Sequence, residues 1–319
     1  MDLNPDERRS AAERVHELFL SLIEGRNWLE GLGIGAERLS EAPCWRIYLN
    51  RNPPEDEAAK LQEILVYANS PLPNSKAKLS TSWAPTSHPY EIKLFEATAR
   101  TNPASLDESL TPPPIHAGKQ IRGGGDSGYG TLGAILIDVS GKYFGVTCAH
   151  VVGKPGGEPS ATLEWSNNEA LGTIEDDDWL PQSTGGAYWS DSARIRLSKS
   201  IVARCDQRVP CLFDEFGCGA GFAQPGRRIV ASGHASRMAN NGTVDSVFAA
   251  YRAASNTDRN VVVTTSFFCK KGDSGAVVFE PSTRAAVGLV FHAFGNRTLI
   301  NDIDSVLRDL KLVGASWGK

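Results

Sequence analysis

The sequence predicts a chain in two parts: a small α/β unit of about 100 residues, then a mainly β half. Three observations carry this. The first hundred residues mix helical stripes with a strand-like run. After Gly123-Gly124-Gly125 the apolar residues come instead in short β-rich runs punctuated by Gly, Asn, Asp and Ser. Between these textures lies a stretch with Pro103 and Pro112-Pro113-Pro114 and little apolar period. The expected boundaries are residues 1–100 for the α/β unit, 101–120 for a linker or extended strap, and 121–319 for the β half.

In chain order, Val15, Leu18, Phe19, Leu22 and Ile23 recur at helical spacing. They predict a helix from about Ser10 to Glu24, with Gly25 as its stop. Cys44 to Leu49 alternates, placing Trp45, Ile47 and Leu49 on one strand face. Glu55 to Tyr67 reads as a second amphipathic helix with Ala59, Leu61, Ile64 and Leu65 inward, and a strand is expected near Tyr90 to Phe95. Beyond the linker, strands are expected at Thr131–Val139, Tyr143–Thr147, Ala193–Leu197, Arg228–Ser232, Val261–Phe268, Gly275–Phe279 and Ala286–Phe291. So many short strands indicate a barrel or sandwich. Asn301 to Leu310 closes the chain as a helix, with Ile303, Val306, Leu307 and Leu310 on its inner face.

The chain has 319 residues, a net charge of −4, 22% charged and 41% hydrophobic residues. That is the composition of an ordinary globular protein, long enough for two domains. The slight acidity argues against sequence-independent nucleic-acid binding, which needs surplus Lys and Arg. No apolar run reaches the roughly twenty residues that cross a bilayer, so no membrane partner is expected. The opening Met-Asp-Leu-Asn-Pro-Asp-Glu-Arg-Arg has no apolar core to follow it, and a cytoplasmic location is the expectation. Six cysteines without a Cys-x2-Cys pair fit neither a disulfide scaffold nor a zinc ribbon. Cys205, Cys211 and Cys218 are therefore read as reduced thiols, and neither a metal nor a cofactor is expected.

Three strings carry chemistry: Thr147-Cys148-Ala149-His150-Val151-Val152, Ser190-Asp191-Ser192 leading into a run to Leu197, and Lys271-Gly272-Asp273-Ser274-Gly275. A serine hydroxyl is a poor nucleophile until an imidazole takes its proton, and a carboxylate can hold that imidazole in the useful tautomer. Asp176, Asp177 and Asp178 are rival acids, but they sit in a polar run that reads as an exposed turn. Asp191 instead precedes Ala193, Ile195 and Leu197, whose common face would fix it in a wall. With His, Asp and Ser in this order, the second half resembles a trypsin-like serine peptidase of the chymotrypsin fold. The segment Ile121 to Ile135 is similar to the first-barrel opening of intracellular bacterial and plant members, including the narrow-leaf-type peptidases.

The resemblance implies two β-barrels and an endopeptidase working through an acyl-enzyme, with protein or peptide substrates. It implies His150 as base, Asp191 as its orienting acid and Ser274 as nucleophile. Backbone N–H groups of Gly272 and Ser274 would form the oxyanion hole. Ser192 and Arg194 are more polar than is usual after the acid. It also implies a substrate-binding strand at Phe291 to Asn296, with Ala293, Phe294 and Gly295 walling the first specificity pocket. His292 resembles the pocket histidine of Glu- and Gln-preferring relatives, and could equally be a core histidine. Lys271 at the rim would favour an acidic partner, while Phe268 and Cys269 leave the floor without the acid that Arg or Lys substrates need. Ile121 could mimic a liberated N-terminus pairing with Asp273, but it lies close to His150 in sequence and is expected as an internal strand. For residues 1–100 a regulatory or recruitment role is expected, through a partner. The alternative from another class is a catalytically idle fold that binds peptides as a scaffold.

Overall fold

Antiparallel pairing in the computed structural model builds two closed β-barrels side by side. The structure describes residues 3–36, 44–67, 80–83, 114–123, 129–153, 158–163, 169–175, 179–180, 189–205, 219–236, 240–252, 257–294 and 297–317. The strand expected near Tyr90 to Phe95 lies outside them. No helix among the described residues is long and apolar enough to cross a membrane.

The chain opens with α1 (Pro5–Ile23). It starts earlier than the apolar stripe alone predicts, because Asn4 caps it. The Asn4 side chain accepts from the Asp6 and Glu7 amides, and Glu7 accepts back from the Asn4 amide at 2.8 Å. A cap of this kind is worth about 1 kcal/mol. Ala11, Ala12, Val15, Phe19 and Leu22 are buried, and Gly25 takes a left-handed φ of 72° just past the end. Then follow β1 (Leu29–Gly35), β2 (Cys44–Leu49), α2 (Glu55–Tyr67) and β3 (Ser80–Trp83), in which β2 pairs antiparallel with β1 and parallel with β3. On α2 the buried positions are Leu61 and Leu65, whereas Ala59 and Ile64 are exposed. Among the described side chains of α2 the inward stripe is narrower than expected.

Within the stretch read as a linker, Ile115 is fully buried and bridges to Cys205, so its end is an extended strap. The first barrel comprises β4 (Gln120–Gly123), β5 (Gly130–Thr131), β6 (Ala134–Ile137), β7 (Tyr143–Thr147), the short α3 (Ala149–Val152), β8 (Ala161–Leu163), β9 (Glu169–Ala170), β10 (Gly172–Thr173), β11 (Trp179–Leu180) and β12 (Ser192–Leu197), with α4 (Lys199–Val202) after it. Its two sheets run β10-β12-β7-β6 and β5-β4-β8-β9. The chain passes from β5 to β6 and from β9 to β10 almost without break, changing partner at Leu132–Gly133 and at Leu171. Both sheets thus join at both ends, and the six runs close into a ring.

The second barrel is made by β13 (Arg228–Ala231), β14 (Asn240–Arg252), β15 (Thr257–Thr264), β16 (Val277–Glu280), β17 (Ala285–Phe294) and β18 (Arg297–Asp302). The order β13-β16-β17-β18-β15-β14, with β14 returning to β13, closes six antiparallel strands. This is the chymotrypsin-like double-barrel arrangement that the resemblance implied. The closing α5 (Ile303–Asp309) buries Ile303, Val306, Leu307 and Leu310 as expected.

The N-terminal elements continue this second barrel. β1 pairs with β14, with Ile34 opposite Val247. One buried cluster runs from Phe19 and Leu22 through Leu32, Ile34 and Trp45 to Val247, Val262, Val278 and Ile300. The described part of residues 1–100 therefore shares its core with the β half. Glycines 31, 33 and 35 make this approach possible. A side chain at Gly35, for instance, would place its Cβ 2.7 Å from the Asp245 carbonyl oxygen.

Candidate active site

Each of the three strings lies at the end or the start of an element where the barrels meet. β7 delivers Thr147 and Cys148, and Cys148 stands at the N-cap of α3, so His150 is raised on a single turn of helix. Asp191 immediately precedes β12, which lies beside β7 in register. The pairing of Ala193 with Thr147 thus brings the residue just before one strand level with the residues just after the other. His150 Nδ1 is hydrogen-bonded to Asp191 Oδ2, and the His150 amide donates to Asp191 Oδ1 at 3.1 Å. Asp191 is nearly buried while the His150 side chain stays about one-third exposed, so one imidazole edge remains open.

Asp191 is fixed from the other barrel. The Asn301 side chain, from β18, donates to the Asp191 carbonyl at 3.0 Å and accepts from its amide at 3.4 Å. Next to it, Ser190 bonds Ser192 at 2.7 Å and donates to Asp309 at 2.8 Å. The polar Ser192, unusual for its position, thus has a buried partner. Arg194 reaches the Leu310 carbonyl at 2.6 Å and stacks 5.0 Å above the Phe144 ring.

Ser274 lies in the turn before β16, half-buried between two glycines of positive φ, 99° at Gly272 and 92° at Gly275. Such φ values are free only to glycine. A Cβ on Gly275 would also run into the Thr147 hydroxyl and sit 3.2 Å from the Cys148 amide nitrogen. The Ser274 turn is therefore pressed against the residues that lead into His150. Thr131 clamps it further. The Thr131 amide donates to the Ser274 carbonyl and its hydroxyl to the Gly272 carbonyl, both at 2.8 Å. Thr147 in turn donates to the Thr131 carbonyl.

Asp273 is buried in a socket of donors. Its carboxylate accepts from the amides of Ala235 and Ser236 at 3.0 Å, from the Lys270 amide at 2.7 Å and from the Ser236 hydroxyl. Gly233 leaves the room this carboxylate fills. Ile121, meanwhile, is a buried mid-strand residue of β4, paired on both sides.

Of the proposed pocket residues, His292 and Ala293 lie on β17 opposite Leu299 and Thr298, while Gly295 is outside the described residues. His292 is exposed, yet protein crowds its ring. Loss of hydration, and then the positive charge of His150, push its imidazole below the usual histidine value, with Asp191 pulling the other way. His292 thus lies within electrostatic reach of both His150 and Asp191. Lys270 and Lys271 are exposed; Phe268 and Cys269 are buried, and the Phe268 amide donates to the Thr298 hydroxyl.

Cys148 Sγ, a His150 ring nitrogen and an Asp191 carboxylate oxygen lie within 4.8 Å of one another. The thiol is fully buried, its pKa driven up by burial and by the Asp191 charge, and it donates to the Val290 carbonyl. The Cys148 thiol thus sits as a buried packing group with one carbonyl partner. Cys205 likewise donates to the Ile201 carbonyl and is pushed up to about 11 by burial. Cys211, Cys218 and the rival acids 176–178 lie outside the described residues. Sequence reasoning missed Asn301 and Thr131, since nothing local marks a residue whose partner is over a hundred positions away.

No family model matches the chain, and no curated protein does. Solved structures do. Thermobifida fusca protease A is similar over 63% of this chain and 97% of its own, at 17% identity and a TM-score of 0.46. An α-lytic protease homologue, N4, is similar over 64% and 99%, at 19% identity and a TM-score of 0.47. A glutamic-acid-specific serine protease, described as using a histidine triad in substrate binding, covers 63% and 98%, at 19% identity and a TM-score of 0.45.

Proposed function

We propose that the chain is a serine endopeptidase that hydrolyses peptide bonds through an acyl-enzyme. The observation that carries this is the bond between His150 and Asp191, with the Gly272–Gly275 turn packed against the strand end that presents His150. A carboxylate on Nδ1 leaves the other ring nitrogen as the base.

In this reading Ser274 Oγ attacks the carbonyl carbon as His150 Nε2 removes its proton, forming a tetrahedral oxyanion. The Gly272 and Ser274 amides hold that oxyanion, each such donor being worth about 3 kcal/mol. Collapse expels the amine, which takes the proton from His150, and leaves an ester on Ser274. Water then attacks the ester by the same route. Asp191 stabilises the imidazolium throughout without taking its proton.

For the residue before the scissile bond the reading adds Glu or Gln. His292, neutral over more of the pH range than an ordinary histidine, donates an N–H to a carboxylate or carboxamide, and Ala293, Gly295 and Lys271 complete the site. The proposal extends to a cytoplasmic setting and to a regulatory partner reached through residues 1–100.

Reaction with a fluorophosphonate tests the core of the proposal. Wild type labels and Ser274→Ala does not, and hydrolysis of a peptide library falls by at least about 10⁴-fold in that variant. A folded wild type that neither labels nor cleaves points to the idle peptide-binding scaffold. In the same library, best cleavage after Arg, Leu or Phe removes the Glu/Gln assignment.

A further inference from the structure

The glycine face of β1 covers a buried charged cluster that joins the N-terminal hairpin to the substrate side of the second barrel. Asp245, on β14, is its centre. The Tyr48 hydroxyl from β2 donates to Asp245 Oδ2 at 2.8 Å and shares a 2.6 Å hydrogen bond with Ser246. Arg46, also on β2, pairs with Oδ1 at 3.4 Å and donates to the Ala36 carbonyl at 3.1 Å. From the opposite side Arg297, on β18, donates to Oδ2 and to the Thr264 carbonyl, both at 2.8 Å. Its guanidinium sits 5.2 Å over the Tyr48 ring, which in turn packs 5.0 Å from Tyr251. Tyr48 is fully buried, and Asp245 and Arg297 are each 7% exposed.

Arg297 begins the strand that returns from the proposed pocket. In the ladder it faces position 294, while Leu299, two residues on, faces His292. Residues directly opposite share a face, as do residues two apart on a strand. Arg297 therefore lies on the sheet face that carries His292. Arg46 and Tyr48 hold Asp245, Asp245 holds Arg297, and Arg297 fixes where β18 turns back along β17. A charge pair out of water has few alternative arrangements, because losing one partner strands the other. The Asp245 carboxylate also neutralises a cation that would otherwise alter the pocket wall.

We propose that the β1–β2 hairpin is a built-in part of the substrate-binding side, with Arg46 and Tyr48 as positioning residues that set the β17–β18 wall through Asp245 and Arg297. The hairpin is then no detachable inhibitor of the second barrel. The effect on substrates rests on the peptidase reading; the effect on the wall does not.

The test compares full-length wild type with Tyr48→Phe and Asp245→Asn, both near-isosteric. By hydrogen exchange, peptides spanning 286–302 exchange about tenfold faster in either variant, while those spanning 143–152 stay within twofold. In peptide hydrolysis KM rises about five- to tenfold, kcat and the fluorophosphonate labelling rate hold within twofold, and Glu/Gln selectivity narrows. Unchanged exchange, or faster exchange spread evenly over both barrels, overturns the positioning role. A fall in kcat with KM unchanged, or localised exchange with no change in KM, overturns the link to substrate. A wild type that neither labels nor cleaves removes the peptidase reading and leaves the exchange result to decide the hairpin's role.

Discussion

The two barrels meet the cleft in different ways. The first offers His150 and Asp191, two groups set by neighbouring strand ends and tied by short-range bonds, β7 to β12 and helix turn to strand start. The second offers the Ser274 turn and the β17–β18 wall, and what holds the wall lies far away in sequence: Tyr48 is 197 positions from Asp245, and Arg297 is 52. On the proposed reading the reacting groups and the substrate wall lean on different supports, and the Asn301 bond from β18 to Asp191 links the two. Substitutions can then separate turnover from recognition.

Asp191→Asn strikes the first support hardest. The amide keeps the shape but no longer selects the tautomer that leaves Nε2 basic, so kcat should fall by about 10³- to 10⁴-fold with KM nearly unchanged. Steady-state kinetics on one Glu peptide decides it, and a tenfold loss or less would mean that this carboxylate does not orient the base. Gly35→Val strikes the second support. Its Cβ meets the Asp245 carbonyl, which cannot rotate away, so the hairpin should lift at a cost of about 3 kcal/mol. Thermal unfolding should show a lowered midpoint, and an unaltered one would remove the hairpin from the barrel.

The smallest effect is a pH dependence. Asp302, buried at the N-cap of α5 beside Asn260 and Ser305, is raised from 3.8 to about 7 by burial, with Asp304 adding to it. Its folded value lies above its unfolded one, so the folded state holds the proton more tightly. The resulting stability is full below about pH 4 and fades as pH rises through 7. Between pH 5 and 8 wild type should lose about 3 kcal/mol from this group, because each step of one in pH over which only the folded state keeps the proton costs roughly 1.4 kcal/mol. Asp302→Asn should flatten that slope in urea titrations at the two pH values. An equal slope in both proteins would place the titration elsewhere.

The helices were legible where one face is apolar, as in α1 and α5, and so were the strands β2 and β12, because period and partner type are local signals. The His150, Asp191 and Ser274 strings were legible because their order and flanking residues are short and distinctive. β1 was not. Leu-Glu-Gly-Leu-Gly-Ile-Gly reads as a turn-rich segment until a neighbour is known that leaves no room for side chains. β14 was hidden for a related reason: Asn240 to Arg252 carries Asp245 and Ser246 inward, where partners from β2 and β18 make polar residues tolerable. Asn301 follows the same logic, buried at 1% exposure by virtue of a backbone 110 positions away.

The socket around Asp273 has a bearing on timing. A carboxylate already supplied with three amides and a hydroxyl has no need of a fresh amine from chain scission to hold it in place. On the proposed reading, a cut that freed an amine near Ile121 would find this carboxylate already engaged, and Ile121 itself is buried inside β4.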